Sequence, residues 1–228
     1  MQHAIPSLIS EKVRSRRASK MFFLGHMCWA YAFGKTTSYL TSRKIKVQLA
    51  LLCGIMPDID LFLNIEHGGI MHSIYFWIVA YIPVLLWMGP RRCLPYLVST
   101  LQHPLFGDFI AAKYKILIPF SYEGFGLGLG IMSPITLSFE LAGFLIFIIL
   151  SYFTKDLAFL FSINSENIIS ILPAAAMLIS YELVLEMEGW SYVTQVFEFA
   201  QMIFLLLLLS SFFMALFGEI SKIYRRSK

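Results

Sequence analysis

Charge is scarce in this chain. Only 14% of its 228 residues are Asp, Glu, Lys or Arg, against 58% hydrophobic and 16% aromatic. A soluble core of this size could not bury so much apolar surface, which argues against a soluble globular protein and for an integral membrane protein. Cysteine is scarce too. Cys28, Cys53 and Cys93 lie inside apolar stretches with no CxxC spacing. That argues against a disulfide framework and a thiolate metal site, and leaves them as small core residues. A basic stripe is also missing. The 18 Lys and Arg exceed the 14 Asp and Glu, for a net charge of +4, but they collect in short flanks, as membrane-edge charges do. Nucleic acid is therefore not an expected partner. No internal repeat or disordered linker divides the chain, so a single domain is the economical reading.

What is present is a series of apolar stretches, at about 21–40, 47–63, 70–89, 94–112, 124–153, 168–187 and 195–218. Most approach the ~20 residues that cross a bilayer as helix. The expected fold is all-α, a polytopic transmembrane helical bundle with about five to seven membrane helices. The first two stretches are interrupted by polar residues and could be short or partly re-entrant. Residues 1–20 read as a polar N-terminal arm and 21–228 as one transmembrane domain, in which 21–121 carries the chemistry and 122–228 supplies supporting helices. EKVRSRRASK followed by MFFLGHMCW has the order of a secretory signal, but Gly25 and His26 suit one poorly, so the stretch is read as retained. The expected location is the cell membrane, as a multi-pass protein.

Against this background one segment stands out, GIMPDIDLFLNIEHGGIMHS at 54–73. A carboxylate left unpaired in hydrocarbon costs at least ~3 kcal/mol, so Asp58 and Asp60 at the end of an apolar run call for a partner, and a divalent cation is the obvious one. Pro57 stops the helix and biases Met56 toward extended backbone, which predicts a turn with Asp58 and Asp60 facing one way. His67 and His72 are five apart, about 140° on a helix, so Gly68 and Gly69 are expected to bend the chain and let both imidazoles converge. LQHPLFGDF repeats the device with His103 and Asp108. If the first four stretches run antiparallel, their ends bring His26, Asp58, Asp60, His67, His72, His103 and Asp108 to one face. Imidazole plus carboxylate without thiolate suits one or two divalent ions, with Zn or Mn leading. In a two-ion site Asp58 or Asp60 would bridge, and the ions would polarise a phosphoryl or carbonyl oxygen and activate water for hydrolysis.

The elements LGHM, IMPDID, HGGIMHS, LQHPLFGD and IPFS, in this order over about the first 120 residues, resemble the YdjM family of LexA-regulated, membrane-bound, metal-dependent hydrolases. The resemblance implies that His26, Asp58, Asp60, His67, His72, His103 and Asp108 are metal or catalytic positions; among them Asp60 and His72 are the expected catalytic residues. Two departures stand out: Gly68 occupies a position where the family usually has Arg, and His103 and Asp108 are spaced one residue wider than usual. A fainter similarity to zinc-dependent phospholipase C and related nucleases leans the expectation toward phosphoesters.

The remaining polar residues are read more plainly. Ser73 is a helix-start hydroxyl that could orient a ligand, and Ser121 belongs to a loop held by Pro119. Glu140, alone between Glu123 and Lys155 among the charged residues, could support the site or meet substrate. Glu182, Glu186 and Glu188 read as a solvated face. GFGLGLG at 124–130 lacks the Lys and the preceding strand of a phosphate loop and reads as close helix contact. The expected function is a membrane-embedded metal-dependent hydrolase acting on an ester or phosphoester of a lipid or lipid-linked substrate. The alternatives are a metal-ion transporter and a catalytically inactive metal-binding membrane scaffold.

Overall fold

The computed structural model describes residues 22–63, 67–185 and 192–226. The N-terminal arm at 1–20 and the side chains of Glu182, Glu186 and Glu188 lie outside the described residues. The fold is all-helical, and among the described residues the only β-type pairing is an isolated antiparallel bridge between Tyr114 and Phe125.

Helix α1, Phe23–Leu40, forms the axis of the fold. It is buried on every side through its first turns, from Phe23 to Cys28 and again at Ala30 to Ala32, as an apolar helix without a polar face must be. It packs against α6, Pro90–Gln102, on one side and α8, Pro134–Phe153, on another. Side chains tie these neighbours down: Ser99 Oγ donates to the Ala30 carbonyl at 2.8 Å, and Trp29 Nε1 donates to the Phe139 carbonyl at 3.2 Å. Between α1 and α6 come α2, Val47–Cys53; α3, Asp60–Leu63; α4, Ile74–Ala80; and α5, Ile82–Met88. The helical path of α6 continues through a π-turn at His103–Gly107 into α7, Asp108–Ala111. After α8 follow α9, Asp156–Leu160; α10, Ile171–Leu185; and the long α11, Tyr192–Arg226. Phe147 and Phe204 meet edge to face across α8 and α11 at 5.2 Å, inside a core that also holds Phe23, Leu24 and Met27.

Two described helices are long and apolar enough to cross a membrane, α8 with a mean hydropathy of 2.0 and α11 with 2.3. Several expected stretches are shorter than their sequence span. The stretch at 47–63 breaks after Cys53, because Pro57 cannot continue an α-helix and instead sits in a 3₁₀ turn at Met56–Ile59. Met56 is thus helical, where the residue before a proline was expected to be extended. The 70–89 stretch gives an apolar run at Ile74–Met88, interrupted at Tyr81 two residues before Pro83. The fifth stretch becomes helix only at Pro134, with Ser133 accepting the Thr136 N–H at 3.1 Å as its cap.

The glycine-rich segment 124–130 is a correction of a different kind. It is not helical itself and meets a helix end through its backbone; Gly126, Gly128 and Gly130 adopt positive φ, and Leu127, Leu129 and Gly130 donate to the Phe109, Ile110 and Ala111 carbonyls. These are the carbonyls that a helix ending at α7 leaves without intrahelical donors. The glycines therefore let the chain fold back over the end of α7.

Candidate metal centre

Four chain segments deliver imidazoles and carboxylates to one place. His26 lies in the first turn of α1, Asp58 in the 3₁₀ turn after α2, His72 at the end of a second 3₁₀ turn, Ile70–His72, and His103 and Asp108 at the two ends of the π-turn. His72 Nε2 is 3.5 Å from Asp58 Oδ1 and 3.3 Å from Asp108 Oδ2. His103 Nε2 is 3.5 Å from Asp58 Oδ1 and 3.2 Å from Asp108 Oδ2. His26 Nε2 stands 3.6 Å from Asp108 Oδ1, and its ring stacks on His103 with centroids 3.9 Å apart.

The π-turn explains how the wide spacing of His103 and Asp108 still works. Five residues on an α-helix would turn the two side chains about 140° apart. Here the Asp108 N–H bonds back to the His103 carbonyl, five residues earlier, and the surplus residue is taken up locally. Both side chains then reach the same point.

Asp60 sits differently from expectation. In a 3₁₀ turn with three residues per turn, positions two apart diverge by about 120°, where an extended segment would have aligned them. Asp58 and Asp60 accordingly address opposite nitrogens of His72: Asp58 faces Nε2, and Asp60 Oδ2 lies 3.4 Å from Nδ1. Asp60 Oδ1 is 2.9 Å from His67 Nδ1, and Gly68 N–H donates to Asp60 Oδ2 at 3.3 Å. The glycine bend does bring His67 and His72 together, with ring centroids 4.9 Å apart. Gly68 has φ +75°, and a Cβ there would stand 2.2 Å from the Tyr114 ring. A tyrosine ring thus occupies the space a side chain at 68 would need.

Tyr114 is the member that the sequence reading missed. Its hydroxyl is 3.0 Å from His67 Nε2 and its ring lies 4.5 Å from that of His72. Burial, together with the Asp108, Asp58 and Asp60 carboxylates, pushes its phenol far above the ordinary value, so it stays a neutral O–H donor. The available signal was an aromatic hydroxyl just beyond the segment that ends with Asp108, at a point that otherwise reads as a basic flank.

The electrostatic condition of the cluster is severe. Asp58, Asp60, His72 and His103 are 0% exposed, Asp108 1% and His26 2%. Both oxygens of Asp58 and of Asp108, both nitrogens of His72, Nε2 of His103 and Nδ1 of His26 have no hydrogen-bond partner among the described residues. An ionised carboxylate buried without donors costs several kcal/mol, so such a group must be neutralised or paired. The imidazoles are set up as acceptors. His103 Nδ1 is 2.5 Å from the Gly54 carbonyl oxygen, which can only accept, so Nδ1 carries the hydrogen and Nε2 presents its lone pair to the cluster. Tetrahedral coordination at ~2.0–2.1 Å places neighbouring ligand atoms about 3.3–3.4 Å apart. The four contacts joining Asp58 Oδ1, Asp108 Oδ2, His72 Nε2 and His103 Nε2 span 3.2–3.5 Å. The residues present therefore fit a metal ion, and three overlapping trios could hold one: His26, Asp58 and His103; Asp58, His67 and His72; and His72, His103 and Asp108.

The other nominated residues lie around the cluster. Ser73 starts α4 but does not cap it; its Oγ donates to the Ile118 carbonyl at 2.5 Å, and Ile74 N–H bonds the Ile116 carbonyl, so it braces the following loop. Ser121 Oγ accepts the Glu123 N–H at 3.2 Å within that loop's own turn. Buried Glu140 accepts the Gly25 N–H at 2.6 Å, one residue before His26. That bond satisfies an N–H at the start of α1, where helix N–H groups lack intrahelical acceptors.

Comparison with protein-family models, with curated proteins and with solved structures finds no match to this chain.

Proposed function

We propose that this protein is a multi-pass membrane protein of the YdjM-like kind that uses a divalent ion, zinc or manganese, to hydrolyse an ester or phosphoester in a lipid or lipid-linked substrate. The observation that carries the reading is the set of buried atoms of Asp58, His72, His103 and Asp108 that lack hydrogen-bond partners and stand at mutual distances suited to one ion. The order of the matching sequence elements supports the family, and the apolar surface supports the membrane. Trp87 and Leu86 at the end of α5 are 85% and 80% exposed, where lipid would cover them.

A bound ion would supply Lewis-acid activation of a water and of the substrate's phosphoryl or carbonyl oxygen. The chain's own residues do the rest. Asp58 and Asp108 provide negative charge to hold the ion, while His72 and His103 provide neutral nitrogen. The Gly54 carbonyl keeps His103 in the required tautomer, and the buried surroundings exclude bulk water. Amphiphilic substrates follow from a polar centre set among apolar helices.

The near-complete burial of the cluster also favours a second reading, a metal-binding scaffold without turnover, since structural sites are closed by four protein ligands. One experiment separates the two. Detergent-purified protein is loaded with zinc or manganese and assayed against phospholipid vesicles and lipid phosphates, alongside Asp58→Asn. Metal-dependent release of product, lost in the variant, supports the hydrolase; retained metal with no turnover on either substrate sinks it in favour of the scaffold.

A further inference from the structure

We infer that Asp60, His67 and Tyr114 form a hydrogen-bonded chain beside the metal centre that positions His72 through the approach of Asp60 to its outer nitrogen at 3.4 Å, in place of ligating a second ion. The inference rests on the metal reading above and specifies which side chains stand outside the ion.

Asp60 has the opposite character to Asp58 and Asp108. Both oxygens of those two residues are buried without a hydrogen-bond partner, whereas both Asp60 oxygens accept one, Oδ1 facing His67 Nδ1 at 2.9 Å and Oδ2 taking the Gly68 N–H at 3.3 Å. Its remaining approach is to His72 Nδ1, across the ring from the nitrogen that faces Asp58 and Asp108. A carboxylate at the far nitrogen of a ligating histidine fixes the tautomer and raises the basicity of the near one. His67 is likewise used at both ends. With Nδ1–H directed to Asp60, Nε2 is left as the acceptor for the Tyr114 hydroxyl at 3.0 Å. The direction of every hydrogen in the chain is thus set: Tyr114 O–H to His67, and His67 N–H to Asp60.

The chain lies on the less buried side of the cluster: Asp58, Asp60, His72 and His103 are sealed, while Tyr114 is half-buried and the His67 side chain is 8% exposed. The 4.5 Å contact between the Tyr114 and His72 rings, and the absence of a side chain at Gly68, seat the tyrosine directly over the ligand it helps to hold.

The test uses the full-length chain in detergent, loaded with zinc, freed of excess metal and measured for metal per protein. Parallel samples loaded with cobalt(II) give a ligand-field spectrum. The expected ratio is about one for the unchanged protein, His67→Gln, Tyr114→Phe and Asp60→Asn alike, and near zero for Asp58→Asn. Asp60→Asn keeps the ratio but loses affinity by about 10–100-fold in chelator competition, with a shifted cobalt band that reports altered His72 basicity. A ratio of two that drops to one in His67→Gln, or a ratio of one that vanishes in Asp60→Asn, overturns the inference and leaves the metal reading standing. A ratio of zero in the unchanged protein removes both. Should His67→Gln fail to fold by circular dichroism, the unchanged ratio together with Asp60→Asn still decides.

Discussion

His103 joins two parts of the fold, with Nδ1 2.5 Å from the Gly54 carbonyl oxygen and Nε2 3.2 Å from Asp108 Oδ2. One nitrogen is committed to the backbone just beyond α2, so the other has a fixed direction. Replacing this ring by His103→Ala removes a ligand and the tether together. Metal per protein is expected to fall from about one to below about 0.2, read by elemental analysis of purified material. Full retention would show that the ring is not a ligand.

Acid should release the ion. Ligating imidazoles bind as neutral rings, so protons compete with the ion for them as pH falls. With two such ligands, zinc affinity is expected to drop at least about 100-fold from pH 7.5 to pH 5. The sign is fixed: binding strengthens as pH rises through the imidazole range and weakens as it falls. Titration against a competing fluorescent chelator at several pH values measures it, and a flat profile contradicts histidine ligation.

Chelation should also loosen the protein. Without a cation, Asp58 and Asp108 are buried with no hydrogen-bond partner among the described residues and only the His72 and His103 imidazoles at 3.2–3.5 Å to offset their charge. At free zinc about a thousandfold above the dissociation constant, binding to the folded state alone adds about 4 kcal/mol. The thermal midpoint in detergent is therefore expected to fall with a chelator and recover when zinc is returned. A midpoint indifferent to both, in protein that binds zinc, would mean that the cluster is not coupled to folding.

Glu140 offers a test of the frame around the site. Its carboxylate takes the Gly25 N–H at 2.6 Å, a bond that an amide oxygen can also make. Glu140→Gln should keep near-normal stability and metal content. Glu140→Ala leaves the buried N–H unsatisfied, at a cost of about 1–3 kcal/mol, and frees the start of α1 to shift. Equal behaviour of the two variants in thermal melts and metal analysis would argue against this anchoring role.

The sequence exposes the site better than it exposes the fold. His26, Asp58, His72, His103 and Asp108 are legible because polar groups are costly inside apolar runs, and their positions at segment ends imply convergence. Asp60 looks equivalent to Asp58 until the turn type is known; a 3₁₀ turn and an extended segment send alternate side chains in different directions. Tyr114 carries no such signal, since an aromatic beside a segment end is common in membrane proteins. The break in 47–63 is legible from Pro57, whereas helix length is misjudged at 124–133, because hydropathy measures apolarity but not whether a run of glycines with positive φ permits a helix.

The π-turn between His103 and Asp108 separates distance along the chain from distance in space. A five-residue step that would set two partners far round from each other on a regular helix is swallowed by one wide loop of backbone, and the facing atoms keep their 3.2 Å approach. Counting letters between polar residues is then a poor ruler for which of them can share an ion.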